Sequence, residues 1–235
     1  MPLPFFYLED LSHPQGTITL PEEPSRHVVQ VLRMQAGEAL SLTDGRGTVL
    51  TAEILEAAKK KALVRVTGTR LTPRGTRNLV IAISLIKHAG RMEWFLEKAT
   101  EIGITEIIPL ICTRTEKQQF RPDRMKNIMI SAMLQSQQAW LPTLQKAVSL
   151  KELAERSTED GKFIAHCLEE EKNPLSSCLN PADTSRIILI GPEGDFTREE
   201  IDYCIRHHFQ PVSLGQNRLR TETAGMVAAV LLSGF

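Results

Sequence analysis

Two segments near the C-terminal end carry residue types and spacings suited to chemistry. Residues 190–200 read Ile-Gly-Pro-Glu-Gly-Asp-Phe-Thr-Arg-Glu-Glu, and residues 213–224 read Ser-Leu-Gly-Gln-Asn-Arg-Leu-Arg-Thr-Glu-Thr-Ala. Each joins a short apolar run, through a loop with glycine, to hydroxyl and carboxylate residues that can serve the free N–H groups of a helix start. In the first, Arg186 to Ile190 has the continuous apolar character of a strand covered on both faces. Thr197 and Glu200 stand at capping-box spacing, which leaves residues 191–195 as an exposed turn. Gly191 and Gly194 let a ligand approach the backbone and permit positive φ. In the second, Gly215 ends the run Val212 to Leu214, and Thr221 or Thr223 caps the apolar helix Met226 to Leu232. Capping explains a hydroxyl and the Glu222 carboxylate but leaves Arg218 and Arg220 over. A tight turn without a ligand accounts for either loop alone; two such loops at one sheet edge predict a small-molecule site.

The remaining elements must position these loops. Leu79 to Ile86 reads as a buried strand, and Met92, Phe95, Leu96, Ala99 and Ile102 recur at helical spacing until Gly103 stops them. Ile107 to Ile111 is the next strand, Pro122 opens a helix through about Gln138, and Ser149 with Glu152 repeats the capping-box signal. Phe163 to Leu168, Arg186 to Ile190 and Val212 to Leu214 supply three further strands. This alternation predicts an α/β domain, a mostly parallel sheet with helices on both faces. The loop after the first long strand, Lys87-His-Ala-Gly90, has one glycine and no dinucleotide fingerprint. Upstream, Thr17 to Leu20, Ala39 to Leu42, Thr48 to Ile54 and Ala62 to Val66 are short β-patterned runs separated by turn signals, notably Asp44-Gly-Arg-Gly47, which suggests a small barrel. Thr72-Pro-Arg-Gly75 is the best boundary, giving domains 1–72 and 73–235.

With 235 residues, 42% hydrophobic and 24% charged, the chain can build one large or two small cores, and two fit better because the first 70 residues lack long helical periodicity. No stretch reaches the roughly 20 apolar residues that span a bilayer, and the amino terminus has no basic region and turns acidic at Glu9-Asp10, so the expectation is a soluble cytoplasmic protein without membrane association. Cys112, Cys167, Cys178 and Cys204 lack metal-ligand spacing and His207-His208 are neighbours, so no metal is expected. The 28 basic and 28 acidic residues balance, which argues against indiscriminate nucleic-acid binding. Their distribution says more: Lys59, Lys60, Lys61, Arg65, Arg70, Arg74 and Arg77 fall in one acid-free stretch, and Arg26, Arg33 and Arg46 lie in the same domain. That pattern predicts a phosphate-contacting strip, with a solvated hairpin and linker as the alternative; aromatic residues are too few for base stacking along a sheet.

GPEGDF followed by LGxxxLRTETA resembles the C-terminal signature of the RsmE-type 16S rRNA uridine-N3 methyltransferases of the SPOUT superfamily. His27-Val-Val-Gln-Val-Leu-Arg-Met34, Gly37-Glu38 and Asp44-Gly-Arg-Gly47 are similar to that family's PUA-like barrel, and Lys87, Arg91-Met-Glu-Trp94, Glu97 to Gly103 and Pro109-Leu110 to its first catalytic-domain helix and second strand. The resemblance implies a trefoil-knotted SPOUT domain behind a PUA-like RNA-binding barrel, S-adenosyl-L-methionine as cofactor, small-subunit rRNA or the assembled small subunit as partner, and a homodimer. Two runs depart from the family. Where it usually has glutamate, glutamine, a small residue, glycine and arginine, this chain has Leu134-Gln135-Ser136-Gln137-Gln138, and after Pro109-Leu110 the usual Glu-Arg pair reads Thr113-Arg114.

Carried onto this chain, the resemblance places the cofactor against Ile190, Gly191, Pro192, Glu193, Gly194, Leu214, Gly215, Leu219, Arg220 and Thr221, with His166 lining the adenosine pocket. Uridine N3 carries a weakly acidic proton, so Arg220 would stabilise the acceptor anion and Glu222 would take the proton; a salt bridge of Arg220 with Glu222 or Glu193, an ordinary helix cap at Glu222 and a satisfied core histidine at 166 are the alternatives. Arg26, Arg33, Lys59, Lys60, Lys61, Arg65, Lys87, Arg91 and Arg114 are the candidates for RNA phosphates. The competing function is a non-catalytic RNA-binding ribosome-assembly factor that kept the fold, suggested by the altered run at 134–138.

Overall fold

The computed structural model describes residues 3–11, 15–116 and 120–234. The chain forms two units, residues 1–74 with 133–141, and residues 75–132 with 142–235.

In the first unit the alternating runs form a five-stranded sheet of β1 (Phe5–Tyr7), β2 (Thr17–Thr19), β3 (Ala39–Thr43), β4 (Thr48–Glu56) and β5 (Leu63–Leu71), in the order β1-β3-β4-β5-β2. One face buries Leu40, Leu42, Leu50, Ala52, Ile54 and Val64, as period-2 alternation requires. β5 runs past the expected Val66 to Leu71, because its last residues are exposed and polar and carry no apolar alternation. A short helix, α1 (Glu22–Arg26), continues into a π-helical turn (His27–Val31) that closes at Arg33 with φ 55°. The buried Ser25 hydroxyl donates to the Leu20 carbonyl at 2.9 Å and accepts from Ala62 N–H at 3.0 Å, tying that helix to the strands.

Residues 133–141 pack with this unit. Gly47 N–H donates to the Ala139 carbonyl at 2.9 Å, Leu141 N–H to Gly45 at 2.8 Å, and Trp140 Nε1 to Thr72 at 3.0 Å. A Cβ on Gly47 would stand 2.5 Å from the Trp140 ring, so glycine there admits the indole, and the Arg74 guanidinium lies 5.5 Å from its centroid. The family-divergent run is the helix terminus that leads into this contact. Gln137, at the family's glycine position, has φ 58°, and Gln138 N–H closes the turn on the Met133 carbonyl at 3.0 Å.

The second unit holds β6 (Asn78–Ser84), α2 (Ala89–Ile102), β7 (Glu106–Ile111), α3 (Pro122–Gln135), β8 (Thr143–Leu144), β9 (Val148–Ser149), α4 (Leu150–Arg156), β10 (Gly161–Ala165), β11 (Asn173–Pro174), α5 (Leu175–Cys178), β12 (Ser185–Ile190), α6 (Arg198–Arg206), β13 (Gln210–Ser213) and α7 (Thr221–Ser233). The last turn of α3 belongs to the 133–141 segment; the predicted continuation to Gln138 stops at Gln135 because residue 137 turns left-handed. The sheet order is β11-β13-β10-β12-β6-β7-β8, with β9 also on β7, and every pairing is parallel. This is the mostly parallel α/β architecture expected. Val80, Ala82, Leu110, Ile164, Ile187, Leu189, Phe196 and Phe209 fill one core, and β6 and β12 are buried nearly throughout. β10, β12 and β13, neighbours in the sheet, bring their carboxyl ends to one edge, where the loops that follow them gather.

α7 packs on α2, β6 and β12. Its Gly225 makes that approach possible: a Cβ there would stand 2.7 Å from the Phe95 ring and 2.9 Å from Ile83. Among the described residues no helix is long and apolar enough to cross a membrane, and no group of three metal-ligating side chains converges.

Candidate active site

The first glycine loop is built by local hydrogen bonding. The expected capping box forms: Thr197 Oγ1 accepts Glu200 N–H at 3.2 Å and Glu200 Oε2 accepts Thr197 N–H at 2.8 Å. The left-handed residue of the turn is Asp195 with φ 62°, whereas Gly191 and Gly194 stay out of that region. A short polar side chain tolerates it because it bonds its own backbone: Asp195 Oδ1 accepts Phe196 N–H at 2.8 Å, and Oδ2 accepts Cys167 N–H, also at 2.8 Å. The second bond ties the loop after β10 to the loop after β12. Gly191 is needed for room instead, since a Cβ there would meet the Phe196 ring at 3.2 Å.

The second loop differs from expectation at its helix start. Arg220 occupies the N-cap position without a side-chain cap, Thr221 is the first helical residue, and the Thr221 hydroxyl donates to the Gly191 carbonyl at 3.0 Å. That hydroxyl thus joins the two glycine loops and caps nothing. Gly215 takes φ 138°, a conformation that favours glycine.

Two cavities adjoin the second loop, and the smaller of them opens between the two loops. One of about 350 Å³ is lined by Ala165, His166, Cys167, Lys172, the β13 end from Val212 to Leu219, and Ala224. The other, about 290 Å³, is lined by Ala165, Cys167, Ile190, Gly191, Pro192, Glu193, Asp195, Arg218 to Thr221, and Ala224. They share Ala165, Cys167, Arg218, Leu219 and Ala224. Of the residues assigned to a cofactor, Gly194 alone lines neither; its neighbours on both sides do. Cys167, Lys172, Asp195 and Arg218 line the cavities and were not among the assigned residues. Arg218, left over by capping, was the available sequence signal; Lys172 comes in from a segment with no motif.

His166 is buried, and its surroundings fix its protonation. Lys172 Nζ donates to the His166 and Leu168 carbonyls and lies 3.3 Å from His166 Nδ1. An ammonium group only donates, so Nδ1 is the acceptor and the proton sits on Nε2. Burial, then the Lys172 charge, pull the imidazole pKa below its ordinary value, with Asp195 and Glu170 opposing. Nε2 has no partner among the described residues.

The proposed catalytic pair separates. Arg220 is exposed, lines the smaller cavity and makes no ion pair among the described residues. Glu222 is buried, lines neither cavity, and faces Arg91, with Oε1 3.6 Å from Arg91 Nε and Oε2 unpartnered among the described residues. Several of the RNA candidates are likewise engaged internally. Lys87 Nζ pairs with Glu116 at 2.8 Å, which raises its pKa, and its backbone N–H donates to Glu193 Oε1 at 3.2 Å. Arg114 Nη1 donates to the Gly194 carbonyl at 2.7 Å, Arg65 pairs with Glu53 and Arg26 with Glu22. Arg33 and Lys59 to Lys61 are exposed, the lysines at the turn between β4 and β5. Arg46, Arg70 and Arg74 lie at the opposite end of that hairpin, where Thr48 pairs with Leu71.

Comparison with known proteins agrees with this geometry. Residues 73–233 match an RNA methyltransferase domain and residues 20–67 an RNA methyltransferase PUA domain. Ribosomal RNA small subunit methyltransferase E of Rickettsia conorii is 30% identical over 206 residues, 86% of this chain and 83% of its own. A probable rRNA-methyltransferase from Porphyromonas gingivalis superposes with a TM-score of 0.90 at 35% identity, covering 99% of both chains. Ribosomal RNA small subunit methyltransferase E of Neisseria gonorrhoeae, solved bound to S-adenosyl methionine, superposes with a TM-score of 0.87 at 29% identity over 99% of this chain and 97% of its own. With both domains matched in order and nearly the whole chain aligned, this protein belongs to the ribosomal RNA small subunit methyltransferase E family.

Proposed function

We propose that the chain transfers a methyl group from S-adenosyl-L-methionine to N3 of a uridine in small-subunit rRNA, acting in the cytoplasm. The observation that carries this reading is the pair of adjoining cavities walled by the loops after β10, β12 and β13 and joined by the Thr221–Gly191 hydrogen bond. Small side chains at Ala165 and Ala224 leave a slot, while Lys172, Arg218, Glu193 and Asp195 place both signs of charge around it. That combination suits a nucleoside bearing a zwitterionic amino-acid tail, and each cavity is of the order of small-molecule sites, about 300 Å³. Bound there, the donor supplies an activated methyl group on a sulfonium.

The protein's task is then to orient donor and acceptor and to favour the uracil anion. Arg220, uncommitted at the rim of the smaller cavity, carries the positive charge for that anion. Glu222 serves the site through Arg91, which it holds at the start of α2. Lys59 to Lys61 and Arg33, exposed in the first unit, are assigned to rRNA phosphates. The same reading carries the threaded C-terminal knot and the homodimer that the family resemblance implies. The dimer is favoured by Met226, Val227, Val230 and Leu231, apolar and only part-buried on α7, and by Trp94 of α2, 43% exposed.

The deciding experiment is tritium transfer from labelled S-adenosyl-L-methionine to small-subunit rRNA from cells lacking this modification, followed by mapping of the product. Label on uracil N3 is expected. Donor binding without transfer to free rRNA or assembled subunits would turn the assignment toward a non-catalytic assembly factor.

A further inference from the structure

The loop after β7 is latched to the loop after β12 by contacts far apart in sequence. Arg114 Nη1 donates to the Gly194 carbonyl at 2.7 Å and reaches the Phe196 carbonyl at 3.5 Å. Peptide units are planar, so directing these two carbonyls also directs the N–H groups of Asp195 and Thr197. Those groups close the turn on Pro192 at 2.9 Å and the capping box on Glu200 at 2.8 Å. The aliphatic stem of Arg114 does a second job. A Cβ on residue 194 would stand 3.3 and 3.4 Å from it, and Gly194 is not in a left-handed conformation, so the stem is what would crowd a side chain there. The latch is reciprocal: Glu200, whose Oε2 closes the capping box, accepts Thr113 N–H and Thr113 Oγ1 on Oε1 at 2.7 and 3.0 Å.

We propose that Arg114 is a positioning residue for the methyl donor. It presets the segment Pro192 to Asp195, of which Pro192, Glu193 and Asp195 wall the smaller cavity, and is not a contact for rRNA phosphate. A wall already held in the binding geometry spares the donor the cost of ordering it. The inference rests on the methyl-donor reading of the site, and the same experiment can separate the two.

The full-length protein and its Arg114→Ala and Arg114→Lys variants are titrated with S-adenosyl-L-methionine by calorimetry and with small-subunit rRNA by filter binding across a salt series. Arg114→Ala is expected to weaken donor binding about tenfold, raising the donor KM with kcat changed less than threefold. Rescue by millimolar guanidinium is expected, and Arg114→Lys, which retains the stem, should fall between the two. Affinity for rRNA and its salt slope should stay unchanged. Gly194→Ala should weaken donor binding in the parent and do so less in the Arg114→Ala background, because the stem it collides with is gone. Undiminished donor affinity in folded Arg114→Ala, a selective loss of rRNA affinity, or additive effects of the two substitutions would overturn the proposal. Failure of the parent protein to bind the donor would overturn the reading of the site on which the proposal rests.

Discussion

The Thr221 hydroxyl and the Gly191 carbonyl, 30 residues apart in sequence, meet at 3.0 Å and fasten the start of α7 to the loop after β12. The smaller cavity is walled by residues of both loops, so this bond ties its two sides together. Thr221→Val keeps shape and removes the donor. It is expected to lower stability by about 1 kcal/mol and to weaken S-adenosyl-L-methionine binding, read by thermal melting and calorimetry; a variant with parental donor affinity would deny the bond any role in the site.

Glu222 is the buried partner of a half-exposed arginine, with side-chain exposures of 10% and 35%. Glu222→Gln preserves size and removes the charge that Arg91 faces. Activity is expected to fall less than tenfold with the shape of the pH–rate profile unchanged. A hundredfold loss of kcat together with disappearance of its acidic limb would identify Glu222 as the general base.

Gln137 holds φ 58° at the end of the α3 segment. A residue with a Cβ is disfavoured in that conformation by about 1 kcal/mol, and glycine removes the penalty at the cost of a freer unfolded chain. Gln137→Gly should therefore raise the melting temperature, while Gln137→Ala should not. Equal melting of the parent and Gln137→Gly, with Gln137→Ala lower, would show that the Gln137 side chain, whose Nε2 donates to the Leu134 carbonyl at 3.3 Å, offsets the strain.

His166 gives a pH dependence of defined sign. Its folded-state pKa lies below the ordinary 6.5, so as pH falls through that value the unfolded chain takes up a proton before the folded one does. Stability is full above the ordinary value and declines below it. His166→Gln should flatten the decline in melting temperature between pH 7.5 and 5. Superimposable curves for the two proteins would assign the decline to other groups.

Local signals in the sequence located the frame. The Thr197–Glu200 and Ser149–Glu152 pairs mark helix starts because a cap is made within three residues, and the Arg186 to Ile190 run marks a buried strand because burial on both faces needs no partner to be known. What sequence could not show depends on contacts made over long separations. Arg114 on Gly194 spans 80 residues and Thr113 on Glu200 spans 87, and these pairings build a loop latch that no local motif announces. The same limit applies to Asp195, which takes the left-handed conformation expected of its neighbouring glycines because it can bond Phe196 and Cys167 at once. β1 escaped notice for a simpler reason: Phe5-Phe6-Tyr7 is aromatic throughout and shows no apolar–polar alternation, unlike Thr17-Ile18-Thr19 of β2.

The basic stretch 59–77, continuous in sequence, is spread along and beyond strand β5. Lys59 to Lys61 occupy the turn, while Arg70 lies near the far end of β5 opposite Val49 and Arg74 follows beyond it. Eight steps along β5 at roughly 3.4 Å each separate the two groups by about 27 Å, the length of about eight stacked nucleotides. With these cations assigned to rRNA phosphates, as proposed, affinity should rise as RNA fragments lengthen enough to reach from the turn to Arg70, read by filter binding of a length series.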